Sequence, residues 1–235
     1  MDSKEVARAL RACASAHKAA VLARFFKTGP GQYGEGDRFL GVVVPDQRRV
    51  AKQFAGISLA DIDRLVRSPW HEERLTGLLI LVDRHRRSEP GERLRLHRFY
   101  LQRTECVNNW DLVDLSAYFL VGPHVDPDRP VLLDRLARSS NLWERRIAVV
   151  ATFHFIKQGV PGPTLLIADR LINDRHDLIH KAAGWMLREV GKRCSVQVLR
   201  DYLDKQADRM PRTTLRYAIE RFPPSLRAEY LGVKS

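Results

Sequence analysis

The stretch NNWDLVDLS, Asn108 to Ser116, sets a tryptophan beside two carboxylates in a chain whose formal net charge is +12. Trp110 and Asp114 are four apart and Asp111 and Asp114 three apart, so on a helix Asp114 shares a face with the indole ring. Asp111 has a plain explanation: Asn109 or Asn108 caps the helix and the acid sits at the positive end of its dipole. The role of Asp114 depends on its surroundings. Further along, Arg145 and Arg146 lie in NLWERRIA, and Lys181, Trp185 and Arg188 in HKAAGWMLRE. A carboxylate, large rings and a cationic row on one wall would bind a polyanion and stabilise a local positive charge. The competing readings are a core role for each tryptophan and a solvated stripe for the arginines.

Other chemistries find no support. His71 and Glu72 begin HEERL, but no second histidine completes the H-E-x-x-H pattern of a zinc hydrolase. Neither G-x-S-x-G nor a Walker A motif occurs. Cys13, Cys106 and Cys194 are far apart and lack the C-x-x-C spacing of a metal site, as suits a reducing cytosol. GPGQYG, Gly29 to Gly34, spells G-x-G-x-x-G, but it follows a helix where a dinucleotide site needs a buried strand. Residues 28–37 are therefore expected to form a flexible loop that could meet a nucleic-acid backbone through its amides. No metal and no nucleotide cofactor is expected.

The elements that must position these groups read as helices almost throughout. SLADIDRLVRS opens with a near capping box at Ser58 and Asp61. SPWHEERLTGLLILVDRHRR follows, with Pro69 expected at the first helical position. NNWDLVDLSAYFLVG and NLWERRIAVVATFHFIKQG each read as one helix, and the chain holds about a dozen, separated by short turns. Laying NLWERRIAVV over HDLIHKAAGW pairs Trp143 with Leu178, Arg146 with Lys181 and Val150 with Trp185, an offset of 35 residues. A helical-hairpin repeat of this length predicts an all-α fold: a HEAT-like superhelix, or α-solenoid, with a concave basic face, spanning residues 1–235 as one domain. The alternative is an irregular all-α domain.

With 235 residues and 44% hydrophobic content, the chain can build an ordinary core. Its 40 Lys and Arg against 28 Asp and Glu make nucleic acid the leading partner class. The N-terminal segment is broken by Lys4, Arg8, Arg11 and Lys18, so no export signal or membrane anchor is expected, and the protein is placed in the cytoplasm.

The motifs WDLVD, NLWERR and KAAGWMLRE, with ARFFK and FLGVVVPDQRR near the start, resemble the AlkD-type DNA alkylation-repair glycosylases, which are built from HEAT-like repeats. The resemblance runs from about residue 20 to about residue 215. It implies a monofunctional, monomeric DNA glycosylase that hydrolyses the N-glycosidic bond of cationic alkylpurines, such as N3-methyladenine and N7-methylguanine, in duplex DNA. By the same resemblance Asp114 is the catalytic carboxylate, Trp110 and Trp185 form the aromatic cleft, and Arg146 is the neighbouring basic residue. Phe25, Arg145, Lys181 and Arg188 would contact DNA. Members of this family hold the lesion in the duplex, unlike most glycosylases.

The chemistry is coherent with that assignment. A purine alkylated at N3 or N7 already carries positive charge and leaves as a neutral base, while the sugar becomes an oxocarbenium ion. A carboxylate about 4 Å from that ion is worth on the order of 4 kcal/mol at an effective dielectric near 20, or roughly three powers of ten in rate. Three departures stand out: Phe25 occupies a place where better-known members carry tyrosine, Val43 one where a polar side chain is expected, and the glycine-rich insertion of residues 28–37 has no assigned role. The alternatives are a HEAT-repeat DNA-binding protein without catalysis and, third, a peptide-binding helical scaffold. The cationic row of Arg146, Lys181 and Arg188 favours phosphate over peptide.

Overall fold

The computed structural model describes residues 1–232. The described residues are helical and contain no strand; a parallel bridge joins Arg38 to Trp70. None of their helices is long and apolar enough to cross a membrane. The chain divides into two compact units, which meet in sequence at Ser116 and Ala117.

The first unit contains α1 (Ser3–Arg11), α2 (Ala16–Phe25), α3 (Val44–Gln53), α4 (Leu59–Val66), α5 (His71–Arg87), α6 (Pro90–Leu101) and α7 (Trp110–Asp114). Helix α5 is its centre, packing against α1, α3, α4, α6 and α7. Every residue from His71 to Val82 is buried, so the helix has no solvent face over its first three turns. Leu75, Leu78, Ile80 and Leu81 are almost wholly enclosed, each contributing about 1.5 to 3 kcal/mol of burial. The Ser58 cap expected before α4 is present, its Oγ accepting from the Asp61 amide at 3.1 Å.

The first turn of α5 corrects the sequence reading. Pro69 is not helical; the helix starts at His71, with Trp70 as N-cap. The carbonyl of Arg38 accepts the His71 amide at 2.8 Å, and Ser68 Oγ accepts that of Trp70 at 3.1 Å. Those two bonds turn the chain at residues 68–70 and delay the helix.

The second unit contains α8 (Ala117–Leu120), α9 (Val131–Ala137), α10 (Leu142–Ala151), α11 (Phe153–Ile156), α12 (Gly162–Arg170), α13 (Asp177–Arg193), α14 (Val196–Gln206), α15 (Arg212–Ala218) and α16 (Pro224–Gly232). Its helices stack as neighbouring pairs: α10 lies against α9 and α13, while α13 packs on α12, α14 and α15. The N-caps Asn141 and His176 reproduce the offset of 35 residues, each accepting an amide two residues on. This is the helical-repeat architecture that the pattern predicts. Gly184 allows the close approach of α13 to α15, since a Cβ there would lie 2.5 Å from the Thr214 carbonyl oxygen.

Two expected single helices are broken. NNWDLVDLSAYFLVG divides into α7, α8 and a 3-10 turn at Gly122–His124. Ser116, fully buried between α7 and α8, shares a hydrogen bond of 3.0 Å with Tyr100 Oη and donates back to Leu112. In NLWERRIAVVATFHFIKQG, Thr152 separates α10 from α11 and donates its hydroxyl to the Val149 carbonyl at 2.6 Å. In both places a hydroxyl competes for helix carbonyls, and periodicity alone does not register that competition.

Candidate active site

The first unit holds a cavity of about 420 Å³, a size suited to a small ligand. Trp110 and Asp114 both line it, as their spacing on one helical face requires. Helix α7 is only five residues long and depends on its surroundings for its position. Its N-cap is Asn109, whose Oδ1 accepts the Trp110 amide at 2.9 Å. The same side chain donates through Nδ2 to Asp37 Oδ2 at 3.0 Å.

Aromatic rings hold the indole from the other side. Phe26 stacks on Trp110 with centroids 5.1 Å apart, and Phe25 meets it edge-on at 5.9 Å. Phe26 stacks in turn on Phe39 at 5.1 Å, and His71 lies 4.6 Å from Phe39 and 5.0 Å from Phe26. Phe25 and Val43 remain exposed at the cavity wall. The tyrosine that the resemblance leads one to expect would add a hydroxyl at an open position; phenylalanine leaves an apolar rim.

Beneath the cavity lies a buried polar cluster that the sequence reading missed. His71 donates from Nε2 to Asp111 at 2.8 Å and from Nδ1 to Asp37 at 3.1 Å. Burial would push this imidazole down, but the charge of Asp111 and the hydrogen bonds to Asp111 and Asp37 outweigh it and raise its pKa to about 9. Burial likewise opposes the charge on Asp37; the bonds from His71, Arg74 and Asn109 prevail and hold its carboxyl below the ordinary value. The cluster is therefore an imidazolium and a guanidinium set among carboxylates. Asp111 is no mere dipole partner at a helix start, because it anchors α7 to α5.

Glu72 has a comparable structural task. Fully buried, it accepts the amides of Leu40 at 2.9 Å, Gly41 at 2.8 Å and Val42 at 3.2 Å. Gly41 has a positive φ of 81°, and a Cβ there would sit 2.1 Å from the Ser15 carbonyl oxygen. Only glycine lets the chain pass under α2 at this point. A signal for the cluster did exist in the sequence: a helix apolar on all sides is buried on all sides, so HEER at its start had to find internal partners.

The glycine-rich segment 28–37 is tied by hydrogen bonds of its own. Gly29 donates to Gln32 Oε1, Gly31 to Glu35 Oε2 and Gly34 to the Lys27 carbonyl. The amides proposed to meet a phosphate backbone are thus partly engaged within the loop. The segment ends at Asp37, whose side chain is buried against His71, Arg74 and Asn109.

The remaining expected site residues belong to the second unit. Trp185 is half-buried, with its ring 6.3 Å from Phe153, which meets Tyr118 edge-on at 5.3 Å. Arg146 is buried and donates to the Leu178 carbonyl at 2.6 Å, tying α10 to the start of α13. Arg145 pairs with Asp174 at 2.6 Å, and Arg188 pairs with Glu189 and Glu220. Lys181, partly exposed, meets Asp177 at 2.7 Å. Among the described residues no group of three or more His, Cys, Asp or Glu side chains could hold a metal ion.

A helical-repeat protein with a carboxylate and an indole beside one aromatic cavity is the class that fold and site define. The model of the family described as "DNA alkylation repair enzyme" matches residues 6–222. The chain belongs to that family, and its work is accordingly in DNA repair. Among solved structures it is similar to a predicted DNA alkylation repair enzyme from Enterococcus faecalis, with 16% identity and a TM-score of 0.69 over 90% of this chain and 97% of that one. At that identity the likeness concerns the fold. Curated protein sequences give no significant match.

Proposed function

We propose that the protein is a monofunctional DNA glycosylase that releases cationic N3- and N7-alkylpurines, such as N3-methyladenine and N7-methylguanine, from duplex DNA. The observation that supports this reading is the placing of Asp114 and Trp110 together on the wall of one aromatic cavity. Breaking the glycosidic bond sends its electron pair to the purine, which neutralises the base. The sugar C1′ is left as an oxocarbenium ion, and Asp114 stabilises it electrostatically. Water then adds to C1′, directed by the same carboxylate, and its proton passes to Asp114 or solvent. No general acid is needed, because the leaving base is already cationic.

The indole of Trp110 offers its face to the cationic lesion. In this reading Trp185 offers a second aromatic face to the duplex, and Arg146, buried against the Leu178 carbonyl, adds to the positive field of the second unit. Phe25 touches the duplex through apolar contact. Arg145, Lys181 and Arg188 bind phosphate by exchanging their present carboxylates for it. The test is single-turnover release of N7-methylguanine by Asp114→Asn, which keeps shape and removes charge. A loss of a hundred to a thousandfold is expected, the range that the Coulomb energy implies. A rate equal to that of the unaltered protein would rule out Asp114 as the catalytic carboxylate.

A further inference from the structure

We propose that the cavity beside Asp114 is a pocket for the alkyl substituent of the damaged base, and that the protein prefers N3-alkyladenines with apolar substituents larger than methyl. This inference rests on the glycosylase reading and adds the property that selects among lesions. At about 420 Å³, the cavity is well above the roughly 150 Å³ of an apolar cavity that takes up benzene. A methyl group would leave most of it empty.

Its lining favours a hydrocarbon over a nucleobase. Leu22, Phe25, Val42, Val43, Trp110 and Leu115 form its apolar walls. Phe25 and Val43 are 60% and 37% exposed, an apolar rim that a ligand could cover. Most of the polar groups around it already have internal work, although Gln47 Oε1 is buried without a hydrogen-bond partner. Glu72 accepts three amides, Asp111 accepts from His71 and from the Leu112 amide, and Gln47 Nε2 donates to the Val42 carbonyl. A purine drawn into such a site would exchange its hydrogen bonds to water for apolar walls, a cost that an alkyl chain does not incur. The lining therefore suits the substituent while the base stays outside.

Position points to the same class of lesion. The purine N3 lies at the minor-groove edge, beside the glycosidic bond. A carboxylate that approaches C1′ from that groove brings an N3 substituent alongside itself, where this cavity opens next to Asp114. An N7 substituent projects into the opposite groove and would not reach it.

The experiment uses the full-length protein and duplex DNA treated with methyl, ethyl, propyl or butyl methanesulfonate, with released bases quantified by mass spectrometry under single-turnover conditions. For N3-alkyladenine, rate divided by Kd should rise about fourfold for each added methylene. N7-alkylguanine from the same DNA should show no such rise. Val43→Trp, which fills the cavity from an exposed position, should flatten the N3 series, and Phe25→Ser should weaken it. Release of methylated bases with a flat or falling N3 series would overturn the pocket and leave the glycosylase reading intact. A rise shared equally by N7-alkylguanine, or retained in both variants, would also overturn it. If no base is released from any DNA, the glycosylase reading fails, and binding decides the pocket. Affinity that grows with chain length and is lost in Val43→Trp supports recognition without excision, whereas affinity independent of chain length overturns the proposal.

Discussion

His71 Nε2 donates a hydrogen bond of 2.8 Å to Asp111 Oδ2, joining the first turn of α5 to the five-residue helix that carries Trp110 and Asp114. The other ring nitrogen is fixed by Asp37 at the end of the glycine-rich segment. One imidazolium thus holds together a loop, the central helix of the first unit and the short helix at its cavity. It acts as a positioning group, with no contact to substrate required.

That arrangement makes stability depend on pH in a defined direction. The folded pKa of His71, about 9, lies above the ordinary value of 6.5, so the folded state holds this proton more tightly. Its contribution is complete below about pH 6.5 and is lost as pH rises through about 9. The shift corresponds to on the order of 3 kcal/mol. Urea unfolding should therefore give a midpoint that falls between pH 6.5 and 9.5, and His71→Gln should remove most of that slope. A midpoint with the same pH dependence in both proteins would contradict the assignment.

Asp111→Asn separates positioning from catalysis. Removing one partner of a buried ion pair costs roughly 3 to 5 kcal/mol, so this variant should melt markedly lower. Asp114→Asn should lose its rate with little change in melting temperature. If Asp111→Asn melts normally, Asp111 does not clamp α7 to α5.

Trp185 sits half-buried against Phe153 in the second unit. Truncation of a fully enclosed tryptophan would cost about 3 to 5 kcal/mol. Trp185→Ala should cost distinctly less while reducing excision, as calorimetry and a release assay on the same preparation would show. A loss of the full core magnitude, with activity of the surviving folded protein unchanged, would make this residue a packing element only.

Gly41 allows a test of the backbone that supports the cavity. Its positive φ and the 2.1 Å approach that a Cβ would make to the Ser15 carbonyl oxygen leave no room for alanine. Gly41→Ala should destabilise by at least about 1 to 3 kcal/mol. Chemical denaturation reads the change directly, and a neutral result would mean that the segment 40–42 can be rebuilt without loss.

DNA affinity should fall steeply with salt. About five or six phosphate contacts give a slope of log affinity against log salt near minus 5. Arg145, Arg188 and Lys181 each face a carboxylate in the protein alone, so their contribution requires partner exchange. Fluorescence anisotropy across a salt series measures the slope; a value near zero would exclude a phosphate-dominated interface.

The amino-acid sequence by itself determined the helical class, the offset of 35 residues between the Asn141 and His176 caps, and the sharing of one face by Trp110 and Asp114. These features depend on spacing along a regular helix, which the period of the chain fixes locally. Tertiary structure decided the rest. The partnership of Asp37, His71, Asp111 and Arg74 joins residues more than thirty positions apart, and no local pattern encodes it. Glu72 and Gly41 meet for the same reason, through a chain path set by burial of α5 on every side. The breaks at Ser116 and Thr152 depended on hydroxyls competing for backbone carbonyls inside the fold. Arg146, read as a surface cation, lies in the interior because the Leu178 carbonyl there satisfies its charge-bearing group, a pairing that exists only once α10 and α13 are packed together.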